Sequence, residues 1–212
     1  MPSKIVKEDD LENEDDNVNR QDEETEKGNN LGDDEGGDEN WSDTEFEDIE
    51  FAIDDLKAVV EETLGLSFDD DTFELLVLSS PAITVACGDG ILKKAEMEVL
   101  ADTILYAYYG DEDYANIDAN SRKSKIAAMS KIILKLVENF DTETDYGTIQ
   151  EALLDLAADS SMDEGADEFV RYTLHEVVAA DGKMAMGSSE TLEEICEMFG
   201  YEVEDILAEY ED

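Results

Sequence analysis

One short phrase occurs twice in the chain, and it restricts the fold more than any other feature of the sequence. The first copy, residues 85–90, reads VACGDG, and the second, residues 177–182, reads VVAADG. Each copy ends an apolar run, makes an Asp-Gly turn and opens an amphipathic run. Gly90 and Gly182 are the predicted turn-forming residues, because glycine adopts positive φ freely and a preceding aspartate can bond its own backbone. The repeat therefore predicts a duplicated helical hairpin.

Apolar residues recur at spacings of three and four over residues 41–212, which is the period of one face of an α-helix. The alternation typical of a half-buried strand does not appear in the sequence. Glycines at 65, 110 and 200 predict helix ends, and Pro81 predicts either a kink or the start of a new helix. The predicted fold class is all-α: a seven- to eight-helix bundle built from two related helix–Asp-Gly turn–helix halves.

Three local patterns make more detailed predictions. Residues 111–120 are polar and predict a loop after the third helix, which should end at Gly110. The third helix should place Leu100, Ile104 and Tyr108 on its inward face. Ser161 and Glu164 have the spacing of a capping box at the start of the sixth helix.

The charge of the chain is strongly negative, with 60 acidic and 14 basic residues and a net charge of −46. Residues 1–40 contain no Phe, Tyr or Trp, and their few apolar side chains cannot offset the entropy cost of ordering. We therefore predict a disordered acidic tail over 1–40, serving either interaction or solubility, and a helical domain over 41–212. Such a charge repels nucleic acid and attracts cations and basic partners.

The sequence also bears on location. No apolar run approaches the 18 residues that a transmembrane helix needs, and residues 1–10 lack the apolar segment of a secretory signal peptide. Two cysteines, Cys87 and Cys196, are too few for a disulfide framework. We expect a cytoplasmic protein that neither inserts into a membrane nor binds nucleic acid.

The two copies of the phrase resemble a known family. Residues 174–200, LHEVVAADGKMAMGSSETLEEICEMFG, run from an apolar helix through the Asp-Gly turn to a helix that ends in Phe-Gly, and residues 82–104 look like the first copy. This pattern is similar to the tellurite-resistance TerB family of small all-helical bacterial proteins, over residues 41–212. The resemblance implies two related helical halves with acidic clusters near the turns. It also implies a non-catalytic role in tellurite or other stress responses, with partner proteins among other components of such systems at the inner membrane.

The resemblance also indicates a cation site. Many family members carry an acidic residue about seven positions past the turn aspartate. The first copy keeps it as Glu96, whereas the second has Ser188 there and Glu190 two positions later. Because hard cations prefer oxygen ligands, we expect a weak Ca²⁺ or Mg²⁺ site at Asp89, Glu96, Asp181 and Glu190.

A simpler interpretation of the turns stays open. Aligned on their glycines, the turns lack half of the ligands of a calcium-binding EF-hand loop, because apolar residues or cysteine take positions 1 and 3. The two aspartates would then only set the turn and cap the following helix. Cys87 is expected to be a small buried residue, since acidic neighbours oppose a thiolate, and His175 a structural histidine.

Five basic residues on the predicted fourth helix form an unusual concentration in so acidic a chain. They could dock an acidic partner or the chain's own tail, or they could pair with acidic neighbours on the helix surface. These residues are Arg122, Lys123, Lys125, Lys131 and Lys135.

No phosphate-binding glycine loop, nucleophile elbow or metalloprotease motif is present in the sequence, and its many carboxylates single out no catalytic pair. We therefore expect a non-enzymatic module that binds partner proteins. The alternative is an acidic DNA mimic, a decoy that occupies a basic nucleic-acid-binding protein. Charges spaced along one elongated face would favour the decoy, and carboxylates clustered at the turns would favour the TerB-like module.

Overall fold

One helix in the computed structural model of the chain is buried on all sides over most of its length. The structure describes the backbone of residues 43–181 and 186–208, and the side chains of 53–180 and 186–208. Within the buried helix, Asp70–Cys87, every side chain from 76 to 86 is buried, including those of two serines and a threonine. A helix buried on all sides must be surrounded by other elements. It is therefore the centre of the described fold.

The described ranges contain eight α-helices and one short antiparallel hairpin, which confirms the all-α fold class. The helices are α1 (Asp43–Leu64), α2 (Asp70–Cys87), α3 (Lys94–Asn116), α4 (Ala119–Val137), α5 (Ile149–Ser160), α6 (Glu164–Asp181), α7 (Met186–Phe199) and α8 (Val203–Ala208). The hairpin pairs β1 (Glu143–Thr144) with β2 (Gly147–Thr148), between α4 and α5. No helix within the described ranges has the length and apolar character needed to cross a bilayer.

The packing of the helices relates the two copies of the repeat. α2 and α3 form the first copy, and α6 and α7 belong to the second. α2 packs against α6 and α7, and α3 packs against α6. The first helix of each copy thus contacts the second helix of the other, so both copies contribute to one core. α4 and α5 complete the surroundings of α2, α1 packs on α5, and α8 packs on α6 and α7.

The backbones of the two copies come into close contact where Gly88 meets Gly187. A Cβ on Gly187 would lie 2.5 Å from the carbonyl oxygen of Gly88, and a Cβ on Gly88 would lie 2.9 Å from the Cα of Ser188. Real Cβ atoms essentially never come within 3.0 Å of such atoms. The contact therefore requires glycine on both sides. The second copy has Ala180 where the first has Gly88, so the repeat differs at this position for a packing reason.

The predicted helix ends are confirmed at three glycines, whereas the loop predicted after Gly110 is partly helical. Gly65, Gly110 and Gly200 all have positive φ, at 59°, 70° and 70°. Gly110 breaks α3, as predicted. The predicted loop is nevertheless wrong over residues 111–116, which return to helix as far as Asn116. The buried ring of Tyr114 anchors this segment, and that burial explains its order despite the polar sequence.

Two further predictions are corrected, those for Ser161 and Tyr108, and one of the two alternatives for Pro81 is excluded. Asp163, and not Ser161, caps α6: its Oδ1 accepts the backbone N–H groups of Gly165 at 2.9 Å and Ala166 at 3.2 Å. The hydroxyl of Ser161 instead donates to a carbonyl at the end of α5. α2 continues through Pro81, so no new helix begins there. Tyr108, predicted to face inward, is 39% exposed.

Several predictions concern parts of the chain outside the described residues. They include the disordered tail over 1–40 and the second turn at Gly182. The backbone of Asp181 ends α6, but its side chain also lies outside the described set. All described residues belong to one compact unit, 41–212.

Replacing Gly187 with alanine is expected to lower the free energy of unfolding by about 1–3 kcal/mol, because the new methyl group would press on backbone that cannot move aside. Gly165→Ala is the control, since a Cβ there would meet only the flexible carboxylate of Asp163, at 3.2 Å. Urea denaturation of both variants provides the measurement. A Gly187→Ala chain as stable as the wild type would contradict the close contact.

Candidate functional site

The first Asp-Gly turn joins α2 to α3 and is held by its own hydrogen bonds. Gly90 has a φ of 81°, and its N–H donates to the carbonyl of Cys87 at 2.7 Å. The carboxylate of Asp89 accepts the backbone N–H of Ile91 at 2.9 Å. These are the local bonds that an Asp-Gly pair favours. Asp89 and Gly90 therefore set the turn in the way their residue types predict.

Glu96, seven residues after Asp89, is a buried carboxylate with only 2% of its surface exposed. Its Oε2 accepts the backbone N–H of Lys93 at 2.8 Å, at the start of α3. A carboxylate at this position satisfies an amide group that the helix leaves unpaired, and it interacts favourably with the positive end of the helix dipole. Glu96 is therefore held in place as a helix cap.

The side chain of Lys93 lies between the two carboxylates. Its Nζ is 3.3 Å from Oε1 of Glu96 and 3.7 Å from Oδ2 of Asp89. A protonated amine at this position neutralises the same charges that a bound metal ion would neutralise. A divalent cation at Asp89 and Glu96 would therefore have to compete with the chain's own ammonium group.

Three of the four carboxylates of the predicted cation site, those of Asp89, Glu96 and Glu190, belong to the described side chains. Within the described residues, no three His, Cys, Asp or Glu side chains are grouped so that they could hold a metal ion. Glu190 is exposed on α7, and the side chain of Asp181 is outside the described set. Asp89 and Glu96 both reach Lys93. Cation binding stays a prediction, and its first requirement is displacement of Lys93.

Both cysteines have raised thiol pKa values. Burial raises the pKa of Cys87 to about 11, and the negative charges of Glu96 and Asp89 add to the effect. Burial also raises the pKa of Cys196. A thiol with such a pKa stays protonated at neutral pH and is a poor nucleophile. This agrees with the expectation that acidic neighbours oppose a thiolate at Cys87.

The basic residues of α4 are mostly engaged within the fold. The guanidinium of Arg122 stacks 4.4 Å from the ring centroid of Tyr114 and donates to the Tyr114 carbonyl oxygen at 3.0 Å. Lys125 donates to the hydroxyl of Tyr109 at 2.7 Å and lies over the same ring. Lys135 donates to the carbonyl of Leu64, at the end of α1. The contacts of these three basic residues are therefore with tyrosines and carbonyls, and they fasten α4 to α3 and α1.

The two remaining residues of the predicted basic cluster differ in position. Lys131 is exposed on α4. Lys123 lines an open groove that runs along one face of α3, between α4 and α6. The groove consists of two adjoining cavities of about 740 and 380 Å³, which share Thr103, Tyr106 and Tyr172. The sequence analysis did not predict this groove.

The lining of this groove combines carboxylates with aromatic rings. The acidic residues come from α3 and α6 and are Glu98, Asp102, Glu168 and Glu176. The rings of Tyr106, Phe169 and Tyr172 form the aromatic part of the surface, and Tyr106 is 41% exposed. The small or aliphatic residues Ala127 and Ile126 line it from α4. Such a surface suits a cation that has an apolar stem, because carboxylates attract the charge and rings accept the stem and a stacked guanidinium.

The tyrosines in and beside the groove have raised hydroxyl pKa values. Burial raises the pKa of Tyr172, and the charges of Glu176 and Asp102 raise it further. Beside the groove, burial and a hydrogen bond to Asp102 raise the pKa of Tyr114 to about 12. Both hydroxyls therefore stay neutral at physiological pH. The charge of the groove therefore comes from its carboxylates and from the opposing charge of Lys123.

A second polar cluster joins the end of the described chain to α6. Arg171 donates to Asp167 at 2.8 Å and stacks 4.0 Å from the ring centroid of Tyr201, whose hydroxyl donates to Asp167 at 2.7 Å. Nδ1 of His175 lies 2.9 Å from the carbonyl oxygen of Ile206, on α8. A carbonyl oxygen only accepts, so Nδ1 carries the hydrogen. These bonds fasten α8 to α6, and they give His175 a structural role.

The chain was compared with models of known protein families, with curated proteins and with solved structures, and nothing matched.

Lys93→Met is expected to create saturable Ca²⁺ binding at the first turn, because it leaves the carboxylates of Asp89 and Glu96 without their shared ammonium group. Backbone amide NMR shifts of residues 88–96 during a Ca²⁺ titration provide the measurement. The expected affinity is at least about tenfold tighter than in the wild type, as for removal of a competing charge worth about 1.4 kcal/mol.

Lys94→Met is the matched control for this titration. It makes the same change one residue later, where the lysine pairs with the exposed carboxylate of Glu98 at 3.1 Å. We expect it to leave Ca²⁺ binding at the turn unchanged. If the wild type bound Ca²⁺ at residues 88–96 as tightly as Lys93→Met, Lys93 would not be the competitor.

Proposed function

We propose that this chain is a TerB-like, non-catalytic module of a tellurite-type stress response, and that it works by binding basic segments of partner proteins. The observation that carries the proposal is the groove along α3, where carboxylates surround partly exposed tyrosine rings. The stress-response part of the proposal rests on the resemblance of residues 82–104 and 174–200 to the TerB family. The partner-binding part rests on the chemistry of the groove.

The charge of the chain supports a basic partner. At a net charge of −46, the chain attracts positively charged proteins over a distance and repels polyanions such as nucleic acid. Tyrosine is also enriched at protein interfaces, because it presents a large apolar surface and a polar tip. We infer that protein partners are favoured over nucleic acid, and that they work with this chain in the cytoplasm or at the inner membrane.

The pKa values of Cys87 and Tyr172 support the non-catalytic part of the proposal. The pKa of the Cys87 thiol is raised to about 11, and that of Tyr172 is also raised. Neither group is therefore prepared to act as a nucleophile or a base at neutral pH. Divalent cations take second place in the proposal, because Lys93 lies between the best-placed carboxylates.

Deleting the gene in the organism that encodes this chain is expected to lower growth in tellurite, and the full-length wild-type chain should restore it. Cross-linking in the restored cells, followed by mass spectrometry, should identify a partner with a basic segment at the cross-link. Leu100→Asp is the control: it puts a charge at a core position that is 1% exposed, so the fold and the restoration should both be lost.

The proposal would be overturned by two results together. The first is unchanged growth of the deletion strain in tellurite and under other chemical stress. The second is the lack of any partner whose cross-links depend on the folded chain.

A further inference from the structure

The groove has the length and periodicity of a site for one helix. We propose that it binds an amphipathic helix of a partner protein that presents arginine or lysine side chains at spacings of three and four residues. This inference rests on the proposed function for the existence of a protein partner. It adds the surface, the shape and the chemistry of the segment that binds.

The shape of the groove follows from the helices that form it. α3 lines it with every residue on one face over three turns, at positions 95, 98, 99, 102, 103, 106 and 107. This stripe covers a length of about 18 Å at 1.5 Å per residue. α6 contributes a similar stripe, at 165, 168, 169, 172 and 176. A helix of about 12 residues matches this length, and helix-in-groove binding uses such i, i+3, i+4 contacts.

The packing of α3 explains how the groove forms. α3 packs against both α4 and α6, and residues of all three helices line the groove. α3 therefore forms a base with one helix on either side. Ala95, Ala107 and Ala127 leave the groove open, since the alanine side chain fills little space. A docked helix could approach α3 closely between its two neighbours.

The chemistry of the lining selects a basic helix. The lining has four carboxylates, Glu98 and Asp102 on α3 and Glu168 and Glu176 on α6, and one basic residue, Lys123. Lys94 pairs with Glu98 from outside the lining, so the carboxylates still exceed the basic groups. Arginine is the best match, because its guanidinium pairs with carboxylates through several N–H groups and also stacks on tyrosine. Apolar residues that lie between the basic ones on the same face of the docked helix would contact Val99, Ile126 and the aromatic rings.

Other occupants are disfavoured by charge. A second copy of this chain carries the same net charge of −46, so the two copies repel each other. Residues 1–40 hold 16 acidic and 4 basic residues, and they would meet the same repulsion. Nucleic acid is a polyanion and is repelled more strongly still. A basic segment from another protein is the occupant that the electrostatics favours.

The test uses the full chain and a synthetic probe. The probe is an alanine-based helical peptide of about 18 residues, long enough to form a helix in water, with arginines at spacings of three and four along one face. A second peptide of equal composition spreads the arginines around the helix. Fluorescence anisotropy gives the affinities, and ¹⁵N amide shifts identify the residues contacted. We expect shifts along residues 95–107 and 165–176, and at least about fivefold weaker binding of the second peptide.

Two charge variants separate specific docking from general attraction. Glu168→Gln with Glu176→Gln removes two charges from the groove, and Glu193→Gln with Glu194→Gln removes two from exposed positions on α7. We expect the groove pair to weaken binding of the one-faced peptide about tenfold or more, because it removes two charge-assisted contacts. The α7 pair should change affinity by less than about twofold, since exposed distant charges are screened by salt.

Two variants on α4 test the position of the docked helix without removing any acidic group. Ala127 lines the groove and Ala128 beside it does not, and both are exposed. Ala127→Arg should obstruct the groove and abolish binding of the peptide. Ala128→Arg, with the same change in charge, should leave the affinity within about twofold. Far-UV circular dichroism and thermal unfolding of both variants check that the fold is retained.

Equal losses for the two charge variants, or equal losses for the two α4 variants, would overturn the inference and leave only general charge attraction. Self-association in sedimentation equilibrium that Ala127→Arg abolishes would also overturn it, in favour of a second copy as the occupant. If the peptide fails to bind while a basic partner cross-links in cells, the helix site is wrong and the proposed function stands. If the deletion strain grows normally and no partner cross-links, the proposed function fails, whatever the peptide does.

Discussion

The backbone contact between Gly88 and Gly187 determines how the two copies of the repeat can share a core. It brings the end of α2 against the start of α7, and only glycine on both sides allows that approach. α2 can then be buried by helices from both copies, which accounts for its almost continuous burial. The first turn lies immediately after Gly88. Its geometry, and with it the position of Asp89, therefore depends on the packing of the second copy.

Features decided within a few residues could be predicted from the sequence, whereas features decided by packing could not. Gly65, Gly110 and Gly200 have the positive φ expected of helix-ending glycines, because the preference is local. Ser161 and Asp163 both have capping side chains and lie two positions apart, so the local pattern does not decide between them; in the structure Asp163 caps α6. The polar stretch 111–116 is helical because a tertiary contact, the burial of Tyr114, overrides its composition.

The candidate site also contains one feature that is decided locally and one that is decided by packing. The resemblance in the repeated phrase points to the carboxylates of Asp89 and Glu96 but not to Lys93, which lies four residues after one and three before the other and contacts both. Those spacings place side chains together on a helix or a tight turn, so this pair of contacts could have been predicted. The groove could not. Its lining joins the consecutive helices α3 and α4 to α6, which is distant in sequence, and no local pattern shows which faces of these helices remain uncovered.

The chain uses much of its small number of positive charges to hold the fold together. Lys93 contacts a buried carboxylate, Arg122 and Lys125 fasten α4 to tyrosines of α3, and Arg171 joins α6 to Tyr201. These positions are fixed by packing, so their charges cannot move to cover acidic surface elsewhere. In the larger cavity of the groove, Lys123 shares the lining with the carboxylates of Glu98, Asp102 and Glu176, and Lys94 pairs with Glu98. Two lysines do not balance the four carboxylates of the whole groove, so salt ions or a partner supply the remaining positive charge, and a partner gains affinity by releasing those ions when it docks.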